Sequence, residues 1–555
     1  VFRAVSRRLP LILLGVAMAA SAALLLWLGR DTGFIDDEWY FWTRHPVTLG
    51  KMLEPGNGNL MAIPIFTYKV VIKLFGLAYL PYRIIEVALV LASAGMFFLA
   101  LRAGERRREW IALGAAVLML FFGTSWDVIE TPLGMPVVLG VALGFGALMA
   151  AERNSWKWDA VALLLLAVGF LSFTVTVSFA IAIAVIMVLD RPRRWLRLAI
   201  PTVLLLLYAG YRYHYRHFPT VDGKKVTLDH ILHTPVSLLE SLKAGLLSLV
   251  GIYPLEGLSD PVQNALAVFL ALGLVAFVAW RVSLGTPINR RVWAYLAALI
   301  AFWLSLAVVG KEPLAVRYQY TSVIFLLAIG VEMVDGVRLA APLKLATMAV
   351  LAFALLTNTA QLFEKREVLT VNARLNEAKL AGLEIIRDQV PWNFGLQQLA
   401  NPEAPDWKLD IFAIEAGDYF EAAGRDGSPA MSEAELRGAS EEQRESADRL
   451  MFNGLQLPER LTPAPLAGCR RALPAGGEWV ARTGPLSGAG FGVRAGTAAV
   501  VGQPRRYAEV ATTYPLLFPR AAAIWAEVPP DLSPVRWRVE LRSRAPFEAC
   551  LRRAP

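Results

Sequence analysis

The side chains able to do chemistry are gathered in a few short polar stretches between long apolar runs. The most informative stretch is GFIDDEWYFWTRHPVTLGKMLEPGNGN, where Asp36, Asp37 and Glu38 stand in a row and Trp39, Tyr40, Phe41 and Trp42 follow. Carboxylates next to an apolar run are costly to place unless hydrated, paired or metal-bound. Aromatic side chains suit a membrane–water boundary. Asp36, Asp37 and Glu38 are therefore the candidate catalytic acids, with a merely solvated acidic face as the plain alternative. A second acidic pair, Asp127 and Glu130, occupies a tight turn between two apolar runs.

Two other stretches are basic. YRYHYRHFPTVDGKK carries Arg212, His214, Arg216, His217, Lys224 and Lys225, and GKEPLAVRYQY carries Lys311, Arg317 and Tyr318. A carboxylate can take the proton of an acceptor hydroxyl, and cationic side chains can hold a phosphate. Together they make an inventory for moving a sugar off a lipid phosphate. Arg317, Lys311, Arg212, Arg216 and His214 are the candidate phosphate ligands. Asp127, Glu130, His45, Asn57 and Tyr318 are candidates for the acceptor side or the pocket wall. The expectation is that carboxylates and cations converge on one cavity at one face of the membrane.

Other chemistries find less support. The histidine pairs 214/217 and 230/233 share a helical face, but a zinc site needs a further ligand that the sequence does not place nearby. Walker and dinucleotide glycine motifs are absent, so nucleotide hydrolysis is not suggested. No metal site is assigned and no cofactor is required. A divalent ion, Mg²⁺ or Mn²⁺, bridging Asp36 or Asp37 to a phosphate stays open, because both prefer oxygen ligands.

The elements that must position these groups are mostly apolar. The chain has 555 residues, 56% of them hydrophobic, with a mean hydropathy of +0.47 and a net charge of +9. Apolar runs near 9–29, 80–102, 109–124, 132–151, 157–174, 175–190, 195–211, 264–282, 291–309, 317–334 and 342–358 are long enough to cross a bilayer, making about eleven transmembrane helices. With residue 1 in the cytoplasm, the inward loops hold Arg102/Arg106/Arg107/Arg108, Arg153/Lys157, Arg191/Arg193/Arg194, Arg281/Arg290/Arg291 and Arg338/Lys344. That is the positive-inside pattern, and it accounts for the basic balance without nucleic acid. A cleaved leader is the rival reading of the first run. The short stretch Leu60–Leu77, with Lys69 and Lys73 on one helical face, reads as a helix lying in the interface.

An odd count puts everything after residue 358 outside the cytoplasm. The expected divisions are a transmembrane domain over 1–358, a helical or mixed region over 359–477 and a β-sandwich-like domain over 478–555. Val368, Val371, Leu375, Ala378 and Ile386 continue the last span as an amphipathic helix. Ser432 with Glu435, and Ser440 with Gln443, read as capping boxes. Further on, Trp537, Val539 and Leu541 alternate with Arg538, Glu540 and Arg542. Trp479, Trp525 and Trp537 could pack as core or stack on a glycan. Cys469 and Cys550 suit one disulfide in an oxidising compartment, or two buried thiols.

On the Asp-Asp-Glu motif after the first span, the interfacial helix before the second, and the number of spans, the chain resembles the GT-C class of integral membrane glycosyltransferases, which use polyprenyl-phosphate sugars. LEPGNGNLMAIPIFTYKVVIKLFGLAYLPYR looks like a recurrent segment of bacterial GT-C-like proteins. The resemblance covers roughly residues 1–358. It implies that Asp36 or Asp37 is the catalytic base and that Arg317, in the Arg-Tyr pair, holds the donor phosphate. His45 and Asn57 stand where some members carry other acids or histidines. The implied partners are a polyprenyl-phosphate sugar, a glycan or lipid acceptor, and membrane lipids, with a bacterial inner-membrane location. A catalytically silent scaffold and a lipid-linked sugar transporter are the alternatives; spans nearly free of charge speak against the transporter.

Overall fold

A computed structural model describes residues 2–44, 48–56, 58–102, 106–190, 195–217, 226–253, 259–337, 341–396, 414–486, 490–509, 515–530 and 533–553. The chain is a polytopic helical membrane protein with a C-terminal β domain. It forms two compact units, one of residues 1–32 and 45–367, the other of 33–44 and 368–555.

The first unit is helical. Among the described residues, 7 helices are long and apolar enough to cross a membrane: 8–31, Leu80–Leu101, 108–129, 132–151, Asp260–Ser283, Arg290–Ala307 and Ala341–Ile385. Helices Trp156–Phe170, Val175–Leu189, Ala199–His214 and Val316–Met333 occupy the remaining expected spans. The interior of the unit is closed by aromatic rings at close separations: Phe97 to Phe145 at 5.4 Å, Phe145 to Phe179 at 5.0 Å and Phe179 to Phe325 at 5.1 Å. Gly144 makes room for this stack, since a Cβ there would lie 2.3 Å from the Phe179 ring. Small residues that admit close helix approach are the usual packing device in lipid, where no hydrophobic force draws helices together.

Two expectations about helices meet the structure directly. The Leu60–Leu77 stretch forms a helix of 14 residues, Ala62–Phe75. At 1.5 Å per residue it reaches about 21 Å, short of a bilayer core of about 30 Å. Lys73 is exposed and Lys69 half-buried. The last membrane helix, by contrast, runs on without a break for 45 residues, Ala341–Ile385, or about 67 Å.

In the second unit, helices Ala416–Asp426, Glu433–Gly438 and Glu441–Gly454 pack around the end of that long helix, with Leu380, Leu383, Ile386, Leu450 and Met451 buried. Both capping boxes form: Ser432 with Glu435, and Ser440 with Gln443. The strands are β1 Leu461–Pro463, β2 Leu466–Arg471, β3 Leu473–Ala475, β4 Glu478–Arg482, β5 Phe491–Arg494, β6 Val500–Arg505, β7 Leu516–Phe518, β8 Ala523–Ala526, β9 Arg538–Ser543 and β10 Glu548–Arg553. They make two five-stranded sheets, ordered β1-β8-β5-β10-β2 and β3-β4-β9-β6-β7. The sheets therefore start at Leu461, earlier than the expected 478. β1 and β3 are three residues long and each carries a proline, and β2 is interrupted by Gly468, which hides alternation in the sequence. Cys469 and Cys550 face each other across β2 and β10 and are bonded.

Asp448 ties the helices to the sandwich. Its carboxylate accepts from the backbone N–H groups of Arg506 at 2.7 Å and of Tyr507 and Ala508 at 3.0 Å. Burial pushes its pKa up to about 6 against the pull of those donors. Trp537 is core, 2% exposed. Trp479 is half-buried under the Arg471 guanidinium, 5.1 Å from the ring centroid, and Trp525 is half-buried.

Candidate functional site

The helical unit holds a small open cleft lined by Gly58, Asn59, Thr174, Ser178, Tyr208, Arg212, Ser305 and Lys311, with Val177, Ala301, Leu306 and Val309 completing an otherwise apolar wall. Each wall has a local cause. Gly56 and Asn59 exchange two backbone hydrogen bonds, at 2.9 and 2.8 Å, and close the EPGNGN stretch into a tight turn. That turn presents the Gly58 carbonyl, which accepts from Arg212 Nη1 at 2.7 Å. Thr174, just before helix Val175–Leu189, donates to Asn59 Oδ1 at 2.9 Å. Arg212 lies in the last turn of helix Ala199–His214, where the dipole favours a cation. Lys311 follows Gly310, which takes the left-handed backbone that ends helix Arg290–Ala307 and its following turn.

Two of the expected phosphate ligands, Arg212 and Lys311, thus share one cavity. Lys311 Nζ also lies 5.6 Å from the Tyr318 ring centroid. Beside Tyr318 in the chain, Arg317 Nε stands 3.6 Å from Asp127 Oδ2, so a basic and an acidic candidate meet as a pair. Asp127 is buried, and the Arg317 side chain is 32% exposed. His214 and Arg216 are exposed and engage their neighbours: His214 sits edge-on to Tyr215, and Arg216 lies over Tyr213 and donates to its carbonyl. Glu130 is 1% exposed, and neither of its oxygens has a hydrogen-bond partner among the described residues. Burial pushes its carboxyl well above the usual range; Arg83 opposes that shift and Glu86 adds to it. Arg83 and Glu86 are themselves a buried pair at 2.9 Å. His45, Asn57, Lys224 and Lys225 lie outside the described residues.

The acids Asp36, Asp37 and Glu38 belong to the second unit. Asp36 takes φ +45°, a left-handed backbone that Asp tolerates better than most residues but that still needs support from its surroundings. Asp37 precedes the short helix Glu38–Thr43. Glu38 is fully buried, and its Oε2 accepts the Ile35 N–H at 2.9 Å, which closes the turn. Among the described residues, no three His, Cys, Asp or Glu side chains gather as ligands for a metal ion.

Sequence reasoning missed Asn59, Thr174, Ser178, Tyr208 and Ser305. Their only signal was polarity near the ends of apolar runs, and nothing local says which run ends meet.

The fold and this site define a multi-spanning helical membrane protein with a cationic cavity at one end of its helices. No family model matches the chain, and no curated protein matches it either. Among solved structures, it is similar to ArnT from Cupriavidus metallidurans bound to undecaprenyl phosphate. The identity is 14%, the coverage 76% of this chain and 89% of that one, and the TM-score 0.42. A likeness of that degree assigns neither ligand nor activity to this chain.

Proposed function

We propose that this protein is a GT-C-type membrane glycosyltransferase that transfers a sugar from a polyprenyl-phosphate donor to a glycan or lipid acceptor of the cell envelope. It acts at the outer face of a bacterial inner membrane. The observation that carries the reading is that Arg212 and Lys311 line one cavity, together with the Asp36–Glu38 motif that resembles the class. Asp36 or Asp37 takes the proton of the acceptor hydroxyl. The acceptor oxygen bonds to the anomeric carbon as the bond from that carbon to the phosphate oxygen breaks, with inversion. The electron pair leaves on the lipid phosphate, whose charge a cationic side chain offsets. A phosphate is a good leaving group, so this chemistry asks for no strong general acid.

The test uses the full-length protein in membranes, radiolabelled polyprenyl-phosphate sugars, and the double variant Asp36→Asn/Asp37→Asn. Loss of a general base is expected to cut transfer by about 100-fold or more. Equal transfer by both proteins removes these acids from the chemistry. No transfer by the wild type across the sugar panel, with undecaprenyl phosphate still bound, favours the silent scaffold.

A further inference from the structure

The acids proposed above are carried by residues 33–44, which fold with the C-terminal unit. Trp42, on the helix that begins at Glu38, meets the Tyr419 ring edge-on at 5.8 Å, and neither side chain is exposed. Tyr419 is fixed in turn. Its hydroxyl donates to Glu384 Oε1 at 2.7 Å and lies 3.1 Å from Ser428 Oγ, which also bonds Glu384. Glu384 stands near the end of the long helix Ala341–Ile385, so the chain of contacts leads from the helix that follows Asp36 and Asp37 to that long helix. At the other end of the segment, Gly33 lies so close to that helix that a Cβ there would be 3.3 Å from the Ala373 Cβ. Trp39 extends the ring series, 5.9 Å from Trp42.

We propose that Tyr419 is a positioning residue for transfer: its ring, set against Trp42, clamps the short helix that directly follows Asp36 and Asp37, and so sets where those acids stand. This inference rests on the glycosyltransferase reading for its functional half only. A six-residue helix has too few hydrogen bonds to hold itself in water. Asp36 in its left-handed conformation needs outside support. An edge-to-face aromatic contact supplies direction as well as burial, so the ring of Tyr419 matters more than its hydroxyl.

The experiment measures amide hydrogen exchange by mass spectrometry on the full chain in nanodiscs, alongside transfer from polyprenyl-phosphate sugars. In Tyr419→Ala, exchange in the 33–44 peptide is expected to rise at least tenfold while peptides of Leu80–Leu101 keep their rates, and transfer falls at least tenfold. Tyr419→Phe restores both to within about threefold of wild type. Unchanged exchange at 33–44 in Tyr419→Ala overturns the clamp, and faster exchange with undiminished transfer overturns its positioning role. If Tyr419→Ala fails to fold, Tyr419→Leu keeps the bulk without the ring and is read by the same outcomes. The glycosyltransferase reading fails separately: the wild type would then transfer no sugar from any donor of the panel, while the exchange result stands.

Discussion

The two ends of the helical unit use charge differently, although close pairs such as Arg83–Glu86 and Arg366–Asp31 also form at the cavity end. At one end, cations are matched by acids from distant helices. Arg291 bonds Glu152 and lies 3.3 Å from Glu332; Arg108 bonds Glu332 and reaches Asp335 at 3.0 Å; Arg197 meets Asp159 at 2.5 Å; Arg290 bonds Asp190. Several of these are basic residues of the predicted inward loops. Arg191, Arg193, Arg194 and Arg338, of the same loops, lie outside the described residues. At the other end, Arg212 bonds a backbone carbonyl and faces an open cavity with Lys311, and the Arg317–Asp127 contact is longer, at 3.6 Å. The difference shows that a basic residue near a membrane boundary can do two jobs. Paired with an acid, it locks helices and marks orientation; aimed into a cavity, it keeps donor capacity for an anion from outside the chain.

Three substitutions test that contrast. The largest effect is expected at the paired end. Glu332→Ala leaves Arg108 and Arg291 without a shared buried partner, and breaking such a pair costs about 3–5 kcal/mol. Its readout is a lower thermal midpoint with undecaprenyl phosphate affinity unchanged. A drop in affinity alone would erase the distinction between the ends. Next comes the cavity. If the cavity takes the proposed lipid phosphate, Arg212→Ala removes charge-assisted bonds worth about 1.5–3 kcal/mol, and a polyprenyl phosphate is expected to bind about 10- to 100-fold more weakly. Here the thermal midpoint should barely move. A large loss of stability without a loss of affinity would make Arg212 another structural pair. The smallest effect is at Asp127. Its pairing with the part-exposed Arg317 falls in the range of about 0.2–1 kcal/mol. Asp127→Asn should release Arg317 toward an incoming anion and tighten undecaprenyl phosphate binding by less than about fivefold. Weaker binding would mean that Asp127 orients Arg317 for the anion and does not compete with it.

Much of this architecture is written locally. Each membrane span is a property of about twenty consecutive residues, so hydropathy located most of the long helices one by one. The capping boxes at Ser432 and Ser440 depend on residues three apart and were legible for the same reason. Strands β1–β3 were not, because the prolines of the two short ones and Gly468 of β2 break the alternation that marks a strand.

By itself the sequence determined which side chains were available: three acids in a row, a basic stretch after helix Ala199–His214, Lys311 and Arg317 beyond helix Arg290–Ala307. Only the tertiary structure decided which of them meet. Arg212 shares a cavity with Lys311 because two helix ends and the Gly56–Asn59 turn come together there, while Arg317 was drawn to Asp127. It also decided that residues 33–44 fold with the C-terminal unit, through Trp42 and Tyr419. Hydrophobic length acts within one segment; ion pairs and ring contacts join residues that the chain itself keeps far apart.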